Sequence, residues 1–159
     1  VRPSSQQVFL LSVSLAMCFR VAPFPYLLSA INPDWVLLTL IYWTLMQPYQ
    51  KGIFHAWAIG LLTDVLLGRT LGEYALIYSL ICYFTIQFHK QLRQYPLIQQ
   101  SIFIFMSLLL AQCLIFLLEN IQSPTSFSAL FWLPVLTGTL GWFAVYTALQ
   151  FIRNLVHPY

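Results

Sequence analysis

Apolar segments succeed one another from Val8 to Ile152 with only short polar breaks, and this continuity decides what the chain can fold into. Seven bases and four acids make up 7% of 159 residues, while 60% are hydrophobic. Soluble domains carry roughly 25% charged residues. So few charges cannot cover a water-exposed surface, which excludes a soluble globular protein, a disordered chain and a coiled coil. A transmembrane helix takes ~20 residues to cross ~30 Å of hydrocarbon. Six of them use about 120 residues and leave about 40 for turns and tails, so no extramembrane domain is expected. A transmembrane β-barrel requires segments that alternate apolar and polar, and runs such as 102–106 and 114–118 do not alternate. The reading is one all-α domain, residues 1–159, forming a polytopic integral membrane bundle.

Helices are expected at about residues 8–28, 33–47, 53–67, 73–88, 97–119 and 127–152. Asn32 suits an N-cap, Pro33 the first helical position and Asp34 the positive end of the dipole. The first run is read as a retained helix rather than a cleaved signal peptide. Arg20 and Pro23-Phe24-Pro25 stand where a small-residue cleavage site belongs. Because the chain begins at Val1, a few residues are expected to precede it. The second and third helices are short, ~22 Å at ~15 residues each. They either cross fully, lengthened by their turns, or dip in as a hairpin, and the charges favour crossing. Six crossings put Arg2, Lys51, Lys90, Arg93 and Arg153 on one side. They put Asp34, Arg69, Glu73 and Glu119 on the other, with Asp64 one turn inside it and Arg20 toward it. The positive-inside rule then makes both termini cytoplasmic.

Asp64 is the most informative residue, because an intramembrane carboxylate faces the bundle interior and is a functional suspect. It shares a helical face with Trp57 and Gly60, and glycine lets another backbone approach. Asp64 serves either as a polar contact that fixes helix geometry or binds a partner, or as a plain structural hydrogen bond or a carboxylate that reaches the outer interface. Its expected partners are Tyr42, Thr39 or Arg20. Trp35, Thr39, Tyr42 and Met46 form a stripe beside Trp43, read as core or as a docking surface for another helix. Tyr74, Tyr78, Cys82 and Thr85 are expected to face inward. Gln112 is expected to donate between helices, and Gly141, Ala144 and Ala148 form a small-residue face. Cys18, Cys82 and Cys113 read as small buried hydrophobes. His55, His89 and His157 have neither companion acids nor metal-ligand spacing. No nucleophile elbow or phosphate cradle is present. Neither metal, cofactor nor enzymatic activity is therefore expected, and scattered bases give no nucleic-acid stripe.

Two motifs carry a resemblance to a known family. They are Asn32-Pro33-Asp34-Trp35-Val36-Leu37-Leu38 followed by Tyr42-Trp43, and Gly60-x-x-x-Asp64-Val65-x-x-Gly68-x-x-Leu71-Gly72. In length, helix count and motif order the whole chain resembles MreD, the bacterial rod shape-determining membrane proteins, in its proteobacterial branch. The resemblance implies a non-enzymatic scaffold or regulator of cell elongation in the inner membrane. It implies direct binding of MreC, a one-span protein with a periplasmic domain. Through it come the glycosyltransferase RodA, its penicillin-binding transpeptidase and MreB, with membrane lipid around the bundle. It also implies likeness to the six-helix substrate-binding subunits of energy-coupling-factor transporters. The residues expected to hold geometry or bind the partner are Asn32, Pro33, Asp34, Trp35, Tyr42, Trp43, Gly60, Asp64, Gly68 and Gly72. The competing readings are a small transporter or ligand-binding membrane subunit, which requires an accessible polar cavity, and a lipid-modifying enzyme.

Overall fold

Ser4 opens the first helix by a reciprocal cap. Its hydroxyl accepts from the Gln7 amide at 3.3 Å, and the Gln7 side chain accepts from the Ser4 amide at 2.8 Å. The computed structural model describes residues 4–124, 126 and 128–156, so Arg2 and His157 lie outside the described residues. Those residues form α1 (Ser5–Val21), α2 (Tyr26–Ile31), α3 (Trp35–Met46), α4 (Ile53–Leu67), α5 (Glu73–Gln94) and α6 (Leu97–Gln122). A 3-10 turn (Ala129–Trp132) then runs into α7 (Leu133–Val156). The architecture is all-helical, with no strand among the described residues. Two helical stretches, Leu97–Gln122 and Ala129–Val156, are by themselves long and apolar enough to cross a membrane.

Several expected boundaries move, each for a local reason. The single run at 8–28 is two helices. Pro23 and Pro25 lack amide hydrogens and push the residue before each toward extended backbone, as Ala22 shows with ψ 134°. The helix after Asn32 begins at Trp35 rather than Pro33, and its cap is Asp34, which accepts from the Leu37 amide at 3.2 Å. Asn32 instead braces loop to helix. It accepts from the Trp35 indole at 2.8 Å and donates to the Phe19 carbonyl at 3.3 Å. The helix expected to end at Phe88 continues to Gln94, because His89–Gln94 contains good helix formers and the stop is Pro96. The last helix reaches Val156, and its expected start at Phe127 falls on a residue outside those described. Cys18 is exposed, not buried.

α3 explains how so short a helix sits in an apolar bundle. Every residue from Val36 to Leu45 is buried, and α1, α5 and α7 surround it. A helix apolar on all sides belongs at the centre of a core. Of the two readings of this stripe, core and docking surface, the core reading holds for Tyr42 and Trp43. Both are at most 1% exposed, and the Trp43 indole donates inward to Ser12 at 2.9 Å. The sequence stripe leaves both readings open because neighbouring faces of α3 are equally apolar.

The charges sort to opposite ends of the bundle. At one end Gln47 and Ser5 bond at 3.0 Å, Arg93 donates to the Leu45 carbonyl at 2.9 Å and to Met46, and Arg153 shares a crevice with Ser5. Lys51 lies there too, its ammonium 4.5 Å from the Phe9 ring centre. Asp34, Asp64, Glu73 and Glu119 occupy the other end with Arg20 and Arg69. Arg93 therefore stands where α3's unpaired C-terminal carbonyls need donors.

Candidate functional site at the acidic end of the bundle

The site starts from a close approach of two backbones. A Cβ on Gly60 would lie 2.4 Å from the Ala75 Cα and 2.6 Å from its nitrogen, so only glycine lets α4 and α5 meet here. The buried row on α4 is Ala56, Gly60 and Asp64, with Thr63 beside it. Trp57 stands at the edge of this row and is 46% exposed, so it does not share the Gly60–Asp64 face.

Asp64 itself is fully buried. One carboxylate oxygen accepts from the Gly72 amide at 2.9 Å and the other from the Tyr74 amide at 2.8 Å. These are amides at the start of α5, which no carbonyl within the helix can satisfy. Asp64 thus caps α5 from α4, with its charge at the positive end of the α5 dipole. The expected partners are corrected: Thr39 donates to the Trp35 carbonyl, Arg20 binds Tyr74, and the buried Tyr42 hydroxyl has no hydrogen-bond partner among the described residues. The sequence identified the residue but missed the bond, because its acceptors serve main-chain amides eight and ten residues onward.

The turn that delivers those amides uses two glycines in the left-handed region, Gly68 (φ 65°) and Gly72 (φ 100°). Gly68 closes α4, and the Arg69 amide reaches back to the Asp64 carbonyl at 2.9 Å. A Cβ at either glycine meets nothing within 4 Å, so substitution costs backbone conformation alone. Gly68→Ala and Gly72→Ala are each expected to lose about 1–2 kcal/mol, read as a small fall in detergent melting temperature.

A second set of polar ties crosses the same end. Tyr78 donates to Asp34 at 2.8 Å, Arg20 donates to the Tyr74 hydroxyl at 2.9 Å, and the two tyrosine rings meet edge-on at 5.6 Å. Arg69 pairs with Glu73 at 3.3 Å and with Glu119 of α6. Burial disfavours its charge, but the Glu119 hydrogen bond, with Tyr74 and both carboxylates nearby, outweighs this and raises its pKa. The sequence left Arg69 without a role, although its spacing to Glu73 and its place as a base among acids were visible signals. Pro33 packs toward α7 beside Gly138. Gln112 donates to the Phe131 carbonyl at 2.7 Å, the expected tie between α6 and the segment leading into α7. The motif residues Gly60, Asp64, Gly68 and Gly72 are thus brought together. Asn32, Asp34 and Trp35 stand near them across Tyr74 and Tyr78, while Tyr42 and Trp43 sit apart in the core.

Two openings flank this framework. One is a polar pocket of about 130 Å³ bordered by Arg20, Asp34, Arg69 and Tyr74. The other is an apolar groove of about 470 Å³ between α1 and α7, lined by Leu15, Ala16, Trp35, Ala144 and Ala148 among others.

The family model described as rod shape-determining protein MreD matches residues 2–152. The chain belongs to the MreD family. The rod shape-determining protein MreD of Haemophilus influenzae is 33% identical to it over 105 residues, 66% of this chain and 65% of that protein. That alignment spans about two thirds of the relative's length and two thirds of this chain. No solved structure matches the chain. Family membership agrees with the two sequence motifs, and the Gly60–Gly72 motif is now a physical object: one close helix contact, one buried cap and two left-handed glycines.

Proposed function

We propose that this MreD-family chain is a non-enzymatic inner-membrane scaffold of the cell-elongation complex that acts in determining rod shape. In this reading α1, α3, α4, α5, α6 and α7 cross the bilayer and α2 lies at the periplasmic face. The basic end is cytoplasmic with both termini, and the bundle resembles the energy-coupling-factor subunits. The observation that carries it is the work of the four acids. Asp64 caps α5, Asp34 caps α3 and accepts from Tyr78, and Glu73 and Glu119 hold Arg69. Asp64, Asp34 and Glu119 each tie one element to another, and Glu73 holds Arg69 in place for Glu119. The transporter reading is disfavoured by size, since the pocket of about 130 Å³ is below the ~300–1,000 Å³ of small-molecule sites.

The partner surface in this proposal is the α1/α7 groove, and its occupant is the single transmembrane helix of MreC. Ala16, Ala144 and Ala148 let another helix approach closely. From Ala144 to Val156 the groove runs ~18 Å along α7, about three helical turns of a partner. Trp35 lines it, retaining one of the two tryptophans expected to dock, while Trp43 is enclosed. RodA, its transpeptidase and MreB join through MreC. Single cysteines at Leu15 and Ala148, tested by disulfide crosslinking in cells against cysteines along the MreC helix, are expected to crosslink. A cysteine at Leu62, on the exposed side of α4, is expected to give no adduct. Adducts from Leu62 with none from the groove would refute this placement.

A further inference from the structure

The polar pocket at the acidic end holds more donor capacity than the fold uses. A guanidinium carries five N–H donors. Arg20 makes one side-chain hydrogen bond, from Nη2 to Tyr74, and its Nε is buried without an acceptor. Arg69 directs only Nη1 at its two glutamates. The Tyr74 hydroxyl accepts from Arg20, and among the described residues no acceptor takes its own proton. All three residues border one cavity and come from three places in the chain: α1, the α4–α5 turn and α5.

We propose that this pocket binds a phosphate group, either inorganic phosphate or the phosphate of a phospholipid headgroup. The cavity of about 130 Å³ is small, nearer the scale of one tetrahedral oxyanion than of the ~300–1,000 Å³ small-molecule sites. A tetrahedral anion offers oxygens in divergent directions, which suits a cavity bordered by donor side chains from three elements. A planar carboxylate offers two. Arginine forks match phosphate geometry and form charge-assisted bonds. The carboxylates nearby are already committed. Asp34 is turned to Tyr78 and the Leu37 amide, and Glu73 and Glu119 to Arg69. Their charge weakens the site without occupying the free donors. The remaining wall combines Ser29, Asn32 and Gln112 with apolar side chains such as Ile115 and Val135, so it offers further polar contacts beside an apolar rim. This proposal does not rest on the scaffold reading, since anion binding is measured on the isolated chain.

The test uses the full chain, purified in a neutral detergent and delipidated. Inorganic phosphate and short-chain phosphatidylglycerol are titrated separately by calorimetry, with phosphatidylglycerol repeated in the presence of phosphate. Saturable binding that Arg20→Gln and Arg69→Gln each weaken about tenfold or more, roughly 1.4 kcal/mol, supports the site. Lys90→Gln, at the opposite end, should leave binding unchanged. Binding of phosphatidylglycerol that phosphate displaces identifies a headgroup, and binding of phosphate alone identifies the free anion. Arg20→Gln also removes the Tyr74 tie, so Arg69→Gln on the half-exposed turn and the wild-type titrations decide if that variant misfolds. Wild-type protein that binds neither probe at millimolar concentration overturns the proposal. So does binding that survives both arginine substitutions.

Discussion

Asp64→Ala is expected to lower the detergent melting temperature by on the order of 10 °C and to abolish complementation of rod shape. The change leaves the buried Tyr74 amide and the half-buried Gly72 amide without their acceptor. An orphaned buried amide costs about 1–3 kcal/mol, which Tyr74 bears in full and the half-buried Gly72 in part, for a total of about 2–4 kcal/mol. A kilocalorie moves the midpoint by roughly 2–4 °C in a chain of this size. Removing a buried charge returns part of its desolvation cost, but the amides still lack partners, so the sign does not change. Asp64→Asn separates charge from bonding. It keeps one acceptor oxygen and sets an NH2 against the other amide, so it should recover about half the loss at most. Full recovery by asparagine would mean that the second bond contributes nothing.

Gly60→Ala is the second large effect. The added methyl meets the Ala75 Cα at 2.4 Å and the Tyr74 carbonyl carbon at 2.8 Å, which are main-chain atoms of a helix and cannot rotate away. α4 must move off α5, which strains the Asp64 cap one helical turn further on. Overpacking costs about 1–3 kcal/mol, and the rigid neighbour places this case at the upper end. Gly138→Ala is the matched control. Its nearest atom, at 2.7 Å, is the Leu108 Cδ1 at the end of a side chain that can turn. A melting series should show Gly60→Ala well below Gly138→Ala. Equal losses would mean that the α4–α5 contact is no tighter than the α6–α7 contact.

What the sequence made legible followed from single residues whose chemistry has few outlets. A carboxylate inside an apolar run had to be buried and bonded, and Asp64 is. Glycines repeated around it had to serve close approach or positive φ, and Gly60, Gly68 and Gly72 divide those tasks. The third helix, 53–67, matched at both ends because Gly52 and Gly68 bound it. Other features were hidden because they depend on which neighbour arrives. An all-apolar segment such as α3 carries no periodic signal to tell lipid from protein, so the Tyr42–Trp43 face read as either core or docking surface and only the packing decides for core. Main-chain partners leave no residue signature, which is why Asp64 was matched to side chains. Arg69 depends on Glu119, fifty residues away, and only the packing of α6 against the turn brings them together.

The partner placement proposed for the scaffold stands on the open α1/α7 groove, beside the framework that the four acids tie together. Co-purification of MreC with the wild-type chain, Ala148→Trp and Leu62→Trp tests it most directly. Each variant must first be shown to melt with the wild type, and both positions are exposed, so neither indole disturbs the core. The account predicts that Ala148→Trp fills the groove and loses most of the complex while Leu62→Trp retains it. Full MreC yield with Ala148→Trp would contradict it.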